Sequence, residues 1–285
     1  MNLLAVAALI LNALVWGVSW WPFRIMEAAG LHPLWATGWM FTIVMVVITI
    51  FKPSLWRELF QSSGLILLAF ASGVTNVSFN WAVTVGDVVR VVLLFYLMPA
   101  WALLLARWLL KERITTKGLF RLSLAVVGVL LVLKKPDATW PVPSSLPDYL
   151  ALMGGFSFAL TNVLLCKLDH TTASARLFAM FVGGSIIALG AAFLGVTAQV
   201  VPALPAFSWV LALSLMGMAV AFYFGNVALQ YGAARLKSST TSLVMLSEII
   251  FASLSAVWMG GAVLDARVLW GAFLIFSAAL WAALA

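Results

Sequence analysis

The sequence predicts an all-α, polytopic membrane protein with ten transmembrane helices arranged as two inverted five-helix repeats. Apolar residues fill 65% of the 285 positions and charged residues only 9%, whereas soluble domains contain roughly 45–50% and about 25%. Apolar runs of about 20 residues, the length of one bilayer crossing, follow one another between short loops. The longest polar stretch, residues 134–147, lies near the middle of the chain and separates five such runs from five.

Each helix boundary is placed where charged or turn residues interrupt an apolar run. The first run, residues 1–23, has no basic start and no small-residue cleavage site, which predicts a retained helix rather than a signal peptide. The first repeat is residues 1–134, the loop between the repeats is 135–146, and the second repeat is 147–285. The ten predicted helices, numbered in order, span residues 3–22, 33–51, 64–84, 89–109, 118–134, 147–166, 177–198, 207–229, 237–258 and 267–285.

The loop charges predict the orientation of these helices. Lys and Arg resist translocation and accumulate on the cytoplasmic side of a membrane. Eleven Lys and Arg residues lie in or beside the loops after predicted helices 2, 4, 6 and 8, and five lie on the opposite side. Both termini are therefore predicted to be cytoplasmic. The net charge of +7 reflects these loops and does not indicate a nucleic-acid partner.

A short motif recurs at the end of the third helix of each half. Residues 80–86 (NWAVTVG) and residues 226–232 (NVALQYG) share Asn, Ala and Gly at corresponding positions. A duplicated unit with an odd number of helices places its two copies in opposite orientations. Inverted repeats of this kind hold their substrate near the bilayer midplane, between the repeats.

Longer motifs in the first half resemble the EamA domain. Residues 97–128 contain a helix with a central proline at Pro99, a loop with Glu112 and a helix with Gly128, which is similar to the end of that domain. Residues 16–24, which begin with Trp-Gly and end with Arg, are similar to its opening. The second half departs from the pattern, because Ile249 and Ala262 stand where the family often has Pro and Glu.

The resemblance covers essentially the whole chain and implies the drug/metabolite transporter superfamily. It implies two inverted repeats around a central cavity lined mainly by predicted helices 1, 3, 4, 6, 8 and 9. The Trp-rich first half is similar to the amino-acid exporters, including the branch that exports aromatic amino acids. A transporter of this kind would lie in a bacterial inner membrane, with a small-molecule substrate and the lipid bilayer as its partners.

Glu248 is the most informative single residue. It lies about eleven residues from either end of predicted helix 9, where an acidic side chain costs about 2.5 to 3.5 kcal/mol on a translocon scale. It must therefore face a cavity or a partner. One interpretation is a proton relay or a site for the ammonium group of a substrate. The other is a protonated carboxyl that forms a hydrogen bond between helices.

The other candidate binding residues are polar or aromatic side chains on the predicted cavity helices. Amides and hydroxyls would hold a zwitterion, and rings would hold an apolar side chain. For any single Asn the alternative is interhelical hydrogen bonding. The candidates are Trp16, Trp20, Asn76, Asn80, Trp81, Tyr96, Trp101, Asn162, Tyr223 and Asn226.

Two prolines are predicted to bend helices. Proline has no N–H group, so the carbonyl four residues earlier loses its helical partner. Pro22 would bend predicted helix 1, and Pro99 would bend predicted helix 4 so that Phe95 and Tyr96 line the bend. Such bends serve either as hinges or as static packing features.

Two ion pairs are also predicted near the outer ends of the helices. Arg24 is one turn from Glu27, so it either pairs with that residue or anchors its helix at the interface. Asp87 and Arg90 would form a pair in the short turn between predicted helices 3 and 4.

These observations support two transporter hypotheses. The first is export of small metabolites, amino acids above all, by alternating access around the cavity. The alternative is proton-coupled efflux of lipophilic cations, with Glu248 as the coupling carboxylate. A membrane-embedded enzyme is not expected, because the chain has no H-E-x-x-H or G-x-S-x-G motif. No phosphate-binding loop, cofactor site or metal site is predicted, and nothing in the pattern indicates an oligomeric state.

Overall fold

The computed structural model describes residues 3–109, 111, 116–134, 142–233, 235, 244–245, 247–259 and 265–284. Within these ranges the chain is helical and has no strand, which confirms the all-α prediction. The first half contains α1 (Leu3–Val18), α2 (Trp20–Ala28), α3 (Pro33–Phe51), α4 (Leu55–Gln61), α5 (Ser63–Val85), α6 (Val88–Phe95), α7 (Met98–Leu109) and α8 (Thr116–Leu133). The second half contains α9 (Leu146–Lys167), α10 (Ala173–Thr197), α11 (Trp209–Ala233), α12 (Ser247–Trp258) and α13 (Ala266–Leu284).

Polar side chains at the starts of several helices explain where those helices begin. Ser62, Asp87 and Thr172 each accept the backbone N–H three residues later, at the start of α5, α6 and α10. These bonds satisfy amides that have no carbonyl partner in the first turn of a helix. These side chains therefore define where the three helices begin. The change from polar to apolar sequence had located these starts only approximately.

Helix α4 was not predicted. It has only seven residues, far fewer than a bilayer crossing requires, and it carries Arg57 and Glu58. Its buried residues, Leu55 and Leu59, are four positions apart and so lie on one face. The sequence pattern was therefore that of a charged loop, although the segment forms about two turns of amphipathic helix.

A helix interruption lies near each of the two prolines that were predicted to bend helices. Pro22 lies within α2, and the break between α1 and α2 falls at Ser19. Proline has no N–H group, so Pro22 cannot donate a hydrogen bond to the carbonyl of Val18, the last residue of α1. Similarly, α6 ends at Phe95, four residues before Pro99. Predicted helices 1 and 4 are thus each built from two shorter helices.

Seven helices in the described part of the chain are long and apolar enough to cross a membrane. They are Leu3–Ala28, Pro33–Phe51, Ser63–Val85, Val88–Leu109, Leu146–Lys167, Ala173–Thr197 and Trp209–Gly232. Helices α12 and α13, in predicted helices 9 and 10, adjoin residues outside the described ranges. The chain is therefore an integral membrane protein, while the count of ten crossings remains a prediction.

Several of the largest helix contacts recur when each helix is exchanged for its counterpart five predicted helices away. Helix α5 packs against α9, and its counterpart α11 packs against α1. Likewise α7 packs against α9, and α12 against α1. The pairs α3–α10 and α8–α13 join helices that are counterparts of each other. Two repeats around a twofold axis would produce this pattern, and their inverted orientation remains a prediction.

Both arginines near the predicted outer ends bind partners that the sequence did not indicate. Arg24 donates to the carbonyl of Thr84 at 3.0 Å and to that of Gly86, so its guanidinium joins α2 to the end of α5. These bonds replace the predicted pair with Glu27. The prediction considered only residues close in sequence, whereas the partner is about 60 residues away.

The guanidinium of Arg90 forms its ion pair with Asp148 at the start of α9. The two N–O distances are 2.7 and 3.1 Å, and Arg90 also donates to the Val132 carbonyl. Asp87, the partner expected from sequence, accepts the backbone N–H of Arg90 and caps α6. Arg90 therefore connects the two halves of the chain.

Candidate functional site

A cavity lies between the two halves of the bundle. Its empty volume, including its opening to solvent, is about 500 Å³. The lining residues come from α1, α5, α6, α9, α10, α11 and the start of α12, so the predicted cavity helices contribute together with α10. They are Asn12, Trp16, Ser72, Thr75, Asn76, Phe79, Phe95, Phe158, Thr161, Met180, Asn226, Leu229, Met245 and Glu248.

Two amide oxygens of this lining have no hydrogen-bond partner among the described residues. Asn12 donates from Nδ2 to the Gly225 carbonyl at 2.9 Å, and Asn76 donates to the Ser72 carbonyl at 2.7 Å. Each bond fixes the orientation of its amide, because a flipped amide would bring two oxygens together. Both Oδ1 atoms are buried. A buried acceptor without a donor costs free energy, so these oxygens are suited to a ligand that supplies N–H groups.

The third amide of the lining is oriented in the same way. Asn226 donates from Nδ2 to the Phe222 carbonyl, one turn earlier, at 2.9 Å. The hydroxyls of Ser72, Thr75 and Thr161 also donate to carbonyls of their own helices. The polar side chains of the cavity thus use their protons on the backbone and keep oxygen lone pairs for other partners.

Glu248 adds a carboxyl group to the same cavity. It lies in the first turn of α12 and is 6% exposed. Its Oε2 is 3.1 Å from the hydroxyl oxygen of Tyr96, and that oxygen is 3.1 Å from the carbonyl oxygen of Met245. Tyr96 follows α6 at the break before α7, so the interrupted helix of the first half contacts the carboxyl of the second half.

Aromatic rings form the apolar part of the lining. Phe79 and Phe95 pack edge to face with centroids 4.8 Å apart, and Phe95 lies 5.4 Å from Phe158. Trp16 contacts Phe79 with centroids 5.7 Å apart. The cavity therefore combines a cluster of rings with oxygen acceptors, and its described lining contains no Lys or Arg side chain.

Comparison with known proteins identifies the first half of the chain. Residues 3–134 match the profile of the EamA-like transporter family. This half of the chain is similar to EamA-like transporter domains. The predicted resemblance is confirmed for this half, and the family consists of membrane transporters, which agrees with the expectation that the protein is not an enzyme.

Similarity to solved structures extends over both halves. Fourteen chains of solved structures match. One of them, described as "Crystal structure of protein", is 16% identical with a TM-score of 0.60, and the match covers 98% of this chain and 97% of that chain. At this identity the similarity concerns the fold alone. Among curated proteins, none matches the sequence.

In the first half, the structure places Trp16 and Asn76 in the cavity lining and the five other predicted residues outside it. Trp20 donates to Ser255 at 2.9 Å, and Asn80 donates to Thr37 at 3.1 Å. Trp81 packs edge to face against His32, and Trp101 packs in the same way against Phe156. Tyr96 is not part of the lining, but its hydroxyl touches Glu248.

In the second half, Asn226 and Glu248 line the cavity. Asn162 and Tyr223 are half-buried and lie outside the lining, and Tyr223 packs near Phe181 and Phe224. The prediction for Tyr223 followed from its position one turn from Asn226. The ring nevertheless packs near neighbouring aromatic residues, because helix positions three apart still differ in direction by about 60°.

The sequence did not identify the rings of Phe79 and Phe158 or the side chains of Ser72, Thr75 and Met180 as cavity residues. A spacing signal for two of them existed, because Ser72 and Phe79 lie four residues before and three residues after Asn76, on one helical stripe. Phe158 likewise lies four residues before the predicted residue Asn162 on α9. For Met180 no such signal was present. Within the described residues there is no group of three His, Cys, Asp or Glu side chains that could hold a metal ion.

Proposed function

We propose that this chain exports small metabolites that carry a protonated amino group, with amino acids, including aromatic ones, as the foremost class. Export would occur by alternating access around the cavity between two inverted repeats. The observation that carries this proposal is the combination, in one membrane-embedded cavity, of unpaired amide oxygens, a carboxyl group and a cluster of aromatic rings.

The acceptor groups support recognition of an amino group. A primary ammonium has three N–H donors, and Asn12, Asn76 and Glu248 offer oxygens in the same cavity. Hydrogen bonds that involve a charged group contribute about 1.5 to 3 kcal/mol each. A neutral or anionic solute without N–H groups would leave these oxygens unpaired.

The aromatic rings support an apolar or aromatic substrate body. Phe95 packs against both Phe79 and Phe158 along one part of the lining. Ring pairs contribute about 0.5 to 1.5 kcal/mol beyond the burial of their area. An amino acid such as phenylalanine would place its ring here and its ammonium near Glu248.

Efflux of lipophilic cations is the second candidate function. It is favoured by the composition of the described lining, which has a carboxyl group but no Lys or Arg side chain to pair with a substrate carboxylate. An amino acid would have to place its carboxylate near the indole N–H of Trp16 or near water. A monoamine would have no such requirement.

Transport by purified protein in proteoliposomes tests the proposal. We expect uptake of labelled phenylalanine and phenethylamine that is absent from protein-free vesicles. Glu248→Gln should reduce this uptake at least tenfold, because the charged acceptor is lost. Glu58→Gln is the matched control, since Glu58 lies on α4 outside the cavity lining and its carboxylate accepts the hydroxyl of Thr172 at the exposed start of α10. Uptake of amines alone would favour the second candidate, and uptake of neither would refute both.

The predicted orientation is part of the same proposal. We expect both termini in the cytoplasm of a bacterial inner membrane, because basic residues accumulate on that side. Labelling of single cysteines in Cys166→Ser protein with an impermeant maleimide would test this. A cysteine in place of Ser144 should react from outside whole cells, and one in place of Ser62 should react only after lysis.

A further inference from the structure

The helices around the cavity pack as two groups. Helix α9 packs against α5, α6 and α7, whereas α1 packs against α11 and α12. The groups meet where α2, which continues α1, contacts α5, and where α6 contacts α12. Both junctions lie on the predicted outer side, and lining residues such as Asn12 and Ser72 lie toward the predicted cytoplasmic side of them. The described helices are therefore closed against each other on the outer side of the cavity.

Arg24 forms a polar contact across the junction of α2 and α5. Its Nε donates to the Thr84 carbonyl at 3.0 Å, and a terminal guanidinium nitrogen donates to the Gly86 carbonyl. The Thr84 carbonyl lies in the last turn of α5, where it has no amide partner within the helix and where the helix dipole favours a cation. A Cβ at Gly86 would lie 2.6 Å from the Cβ of Pro147. The acceptor side of the contact is therefore packed against α9.

The donor side of the contact is held by the other group of helices. The guanidinium carbon of Arg24 lies 4.9 Å from the ring centroid of Trp20, and the indole N–H of Trp20 donates to Oγ of Ser255 on α12 at 2.9 Å. Trp20 is buried. A connected set of contacts thus runs from α12 through Trp20 and Arg24 to the end of α5. Separation of the two groups at this junction would break the bonds of Arg24 to the two carbonyls.

We propose that Arg24 controls an outer gate formed by α2 and the carboxyl end of α5. Its guanidinium holds the two helices together while the cavity faces the cytoplasm, and it exchanges the two carbonyls for water when the outer side opens. This inference rests on the proposed function, because alternating access requires the two groups of helices to separate on that side.

The surroundings of Arg24 suit a contact that breaks and re-forms. Arg24 is half-buried, so water can replace the carbonyls, and these neutral acceptors leave no charge behind. Arg90 has the opposite surroundings. Its partner Asp148 is 1% exposed, so their separation would leave a buried charge unpaired at a large cost. Arg90 and Asp148 also lie on α6 and α9, which belong to the same group. Arg90 therefore joins helices that stay together, whereas Arg24 joins helices that separate.

Distances between two spin labels test the gate without any substrate. In Cys166→Ser protein, Ala28→Cys places one label at the exposed end of α2, and Leu146→Cys places the other at the exposed start of α9. Double electron–electron resonance in proteoliposomes then gives the ratio of separated to close labels. Arg24→Gln replaces the charged donor of two hydrogen bonds by a shorter neutral amide. We expect the ratio to rise at least about tenfold.

Two further variants distinguish a gate from a general structural contact. Arg24→Lys keeps the charge but loses the fork that reaches both carbonyls, so it should give a smaller rise, and it replaces Arg24→Gln if that variant does not fold. Arg267→Gln is the control, because Arg267 is exposed at the start of α13 and pairs with Asp265.

An unchanged ratio in the Arg24 variants that fold, or an equal rise in Arg267→Gln, would overturn the proposal. A rise in Arg24→Gln, in a protein that transports neither amines nor amino acids, would support the gate and count only against the export function.

Discussion

Asn76 and Asn80 lie one helical turn apart, yet their amides have different surroundings. Asn76 lines the cavity, whereas Asn80 donates to Thr37 on α3. Sequence spacing correctly placed both on one stripe of the helix. It could not show that a hydroxyl from another helix occupies the second position, because that contact joins residues 43 positions apart.

Replacement of Asn76 by leucine should weaken amine binding. The substitution keeps the side-chain size but removes an acceptor for a charged donor, so we expect a loss of about 1.5 to 3 kcal/mol, or roughly 10- to 100-fold in Kd. Isothermal titration of purified protein with phenethylamine measures this effect. Asn162→Leu, which changes an amide outside the lining, should change Kd less than about twofold. Equal losses in the two variants would contradict the assignment.

At the level of single residues, the charge and polarity of the site could be predicted better than its shape. Glu248 was identified because a carboxyl deep in an apolar helix requires a partner. The rings of Phe79 and Phe158 were not identified, because lipid-facing and cavity-facing positions of a membrane helix are both apolar. Only the packing of neighbouring helices distinguishes them.

At the level of helices, the predicted boundaries agree closely with the structure, and the breaks follow from the two prolines. The missed helix, α4, is too short for a membrane pattern. Contacts between helices were harder to predict. They depend on positions where small residues let two backbones approach, such as Gly155 against the Phe95 carbonyl and Gly17 against the Glu248 carbonyl.

Gly17→Ala should separate α1 from α12. A Cβ at this position would lie 2.8 Å from the Cβ of Phe251 and 2.9 Å from the carbonyl oxygen of Glu248, so backbone atoms would have to move. We expect a destabilisation of about 1 to 3 kcal/mol, measured as a lower thermal midpoint in detergent. Gly190→Ala is the control, because a Cβ there meets nothing within 4 Å. An unchanged midpoint for Gly17→Ala would show that the two helices are not in close contact.

The start of α3 should be sensitive to acid. His32 accepts the Leu34 amide through Nδ1 at 3.2 Å, and burial lowers the pKa of His32 below its ordinary value of 6.5. The folded state therefore favours the neutral ring, whereas the unfolded chain takes up a proton below about pH 6.5. The cap therefore stabilises the folded protein above about pH 6.5. This stabilisation is lost as the pH falls from about 6.5 through the lowered pKa of His32 in the folded state.

Thermal unfolding at pH 7.5 and pH 5.5 measures this contribution. His32→Asn should show a smaller difference between the two pH values, because asparagine caps a helix without titrating. His170→Asn is the control, since His170 is exposed and is the other histidine of the chain. An equal effect of both substitutions would contradict the role of His32.

At the level of the whole molecule, the two halves are joined at one end of the bundle by Arg90. Its ion pair with Asp148 links α6 to α9, and its bond to the Val132 carbonyl adds α8. Asp148 is 1% exposed. This end of the bundle is the predicted outer face. The Arg90–Asp148 ion pair would therefore hold the two halves together on the outer side of the cavity. Sequence could not predict it, because the partners are 58 positions apart.

Arg90→Ala should destabilise the protein strongly. It leaves the Asp148 carboxylate buried without its charged partner, which typically costs about 3 to 5 kcal/mol. Arg267→Ala, which breaks an exposed pair with Asp265, should cost about 1 kcal/mol or less. Unfolding in mixed micelles would measure both. The double variant Arg90→Leu/Asp148→Leu should recover part of the loss, and a larger loss in the double variant would contradict a simple ion pair.

The central claim is that the cavity between the halves is the binding site for amines. A structure with 4-bromophenethylamine bound would test it most directly, because the anomalous signal of bromine locates one end of the ligand. We expect bromine beside Phe79, Phe95 and Phe158 and the amino group within hydrogen-bond distance of Glu248. A ligand bound elsewhere, or an empty cavity at saturating amine, would contradict the account.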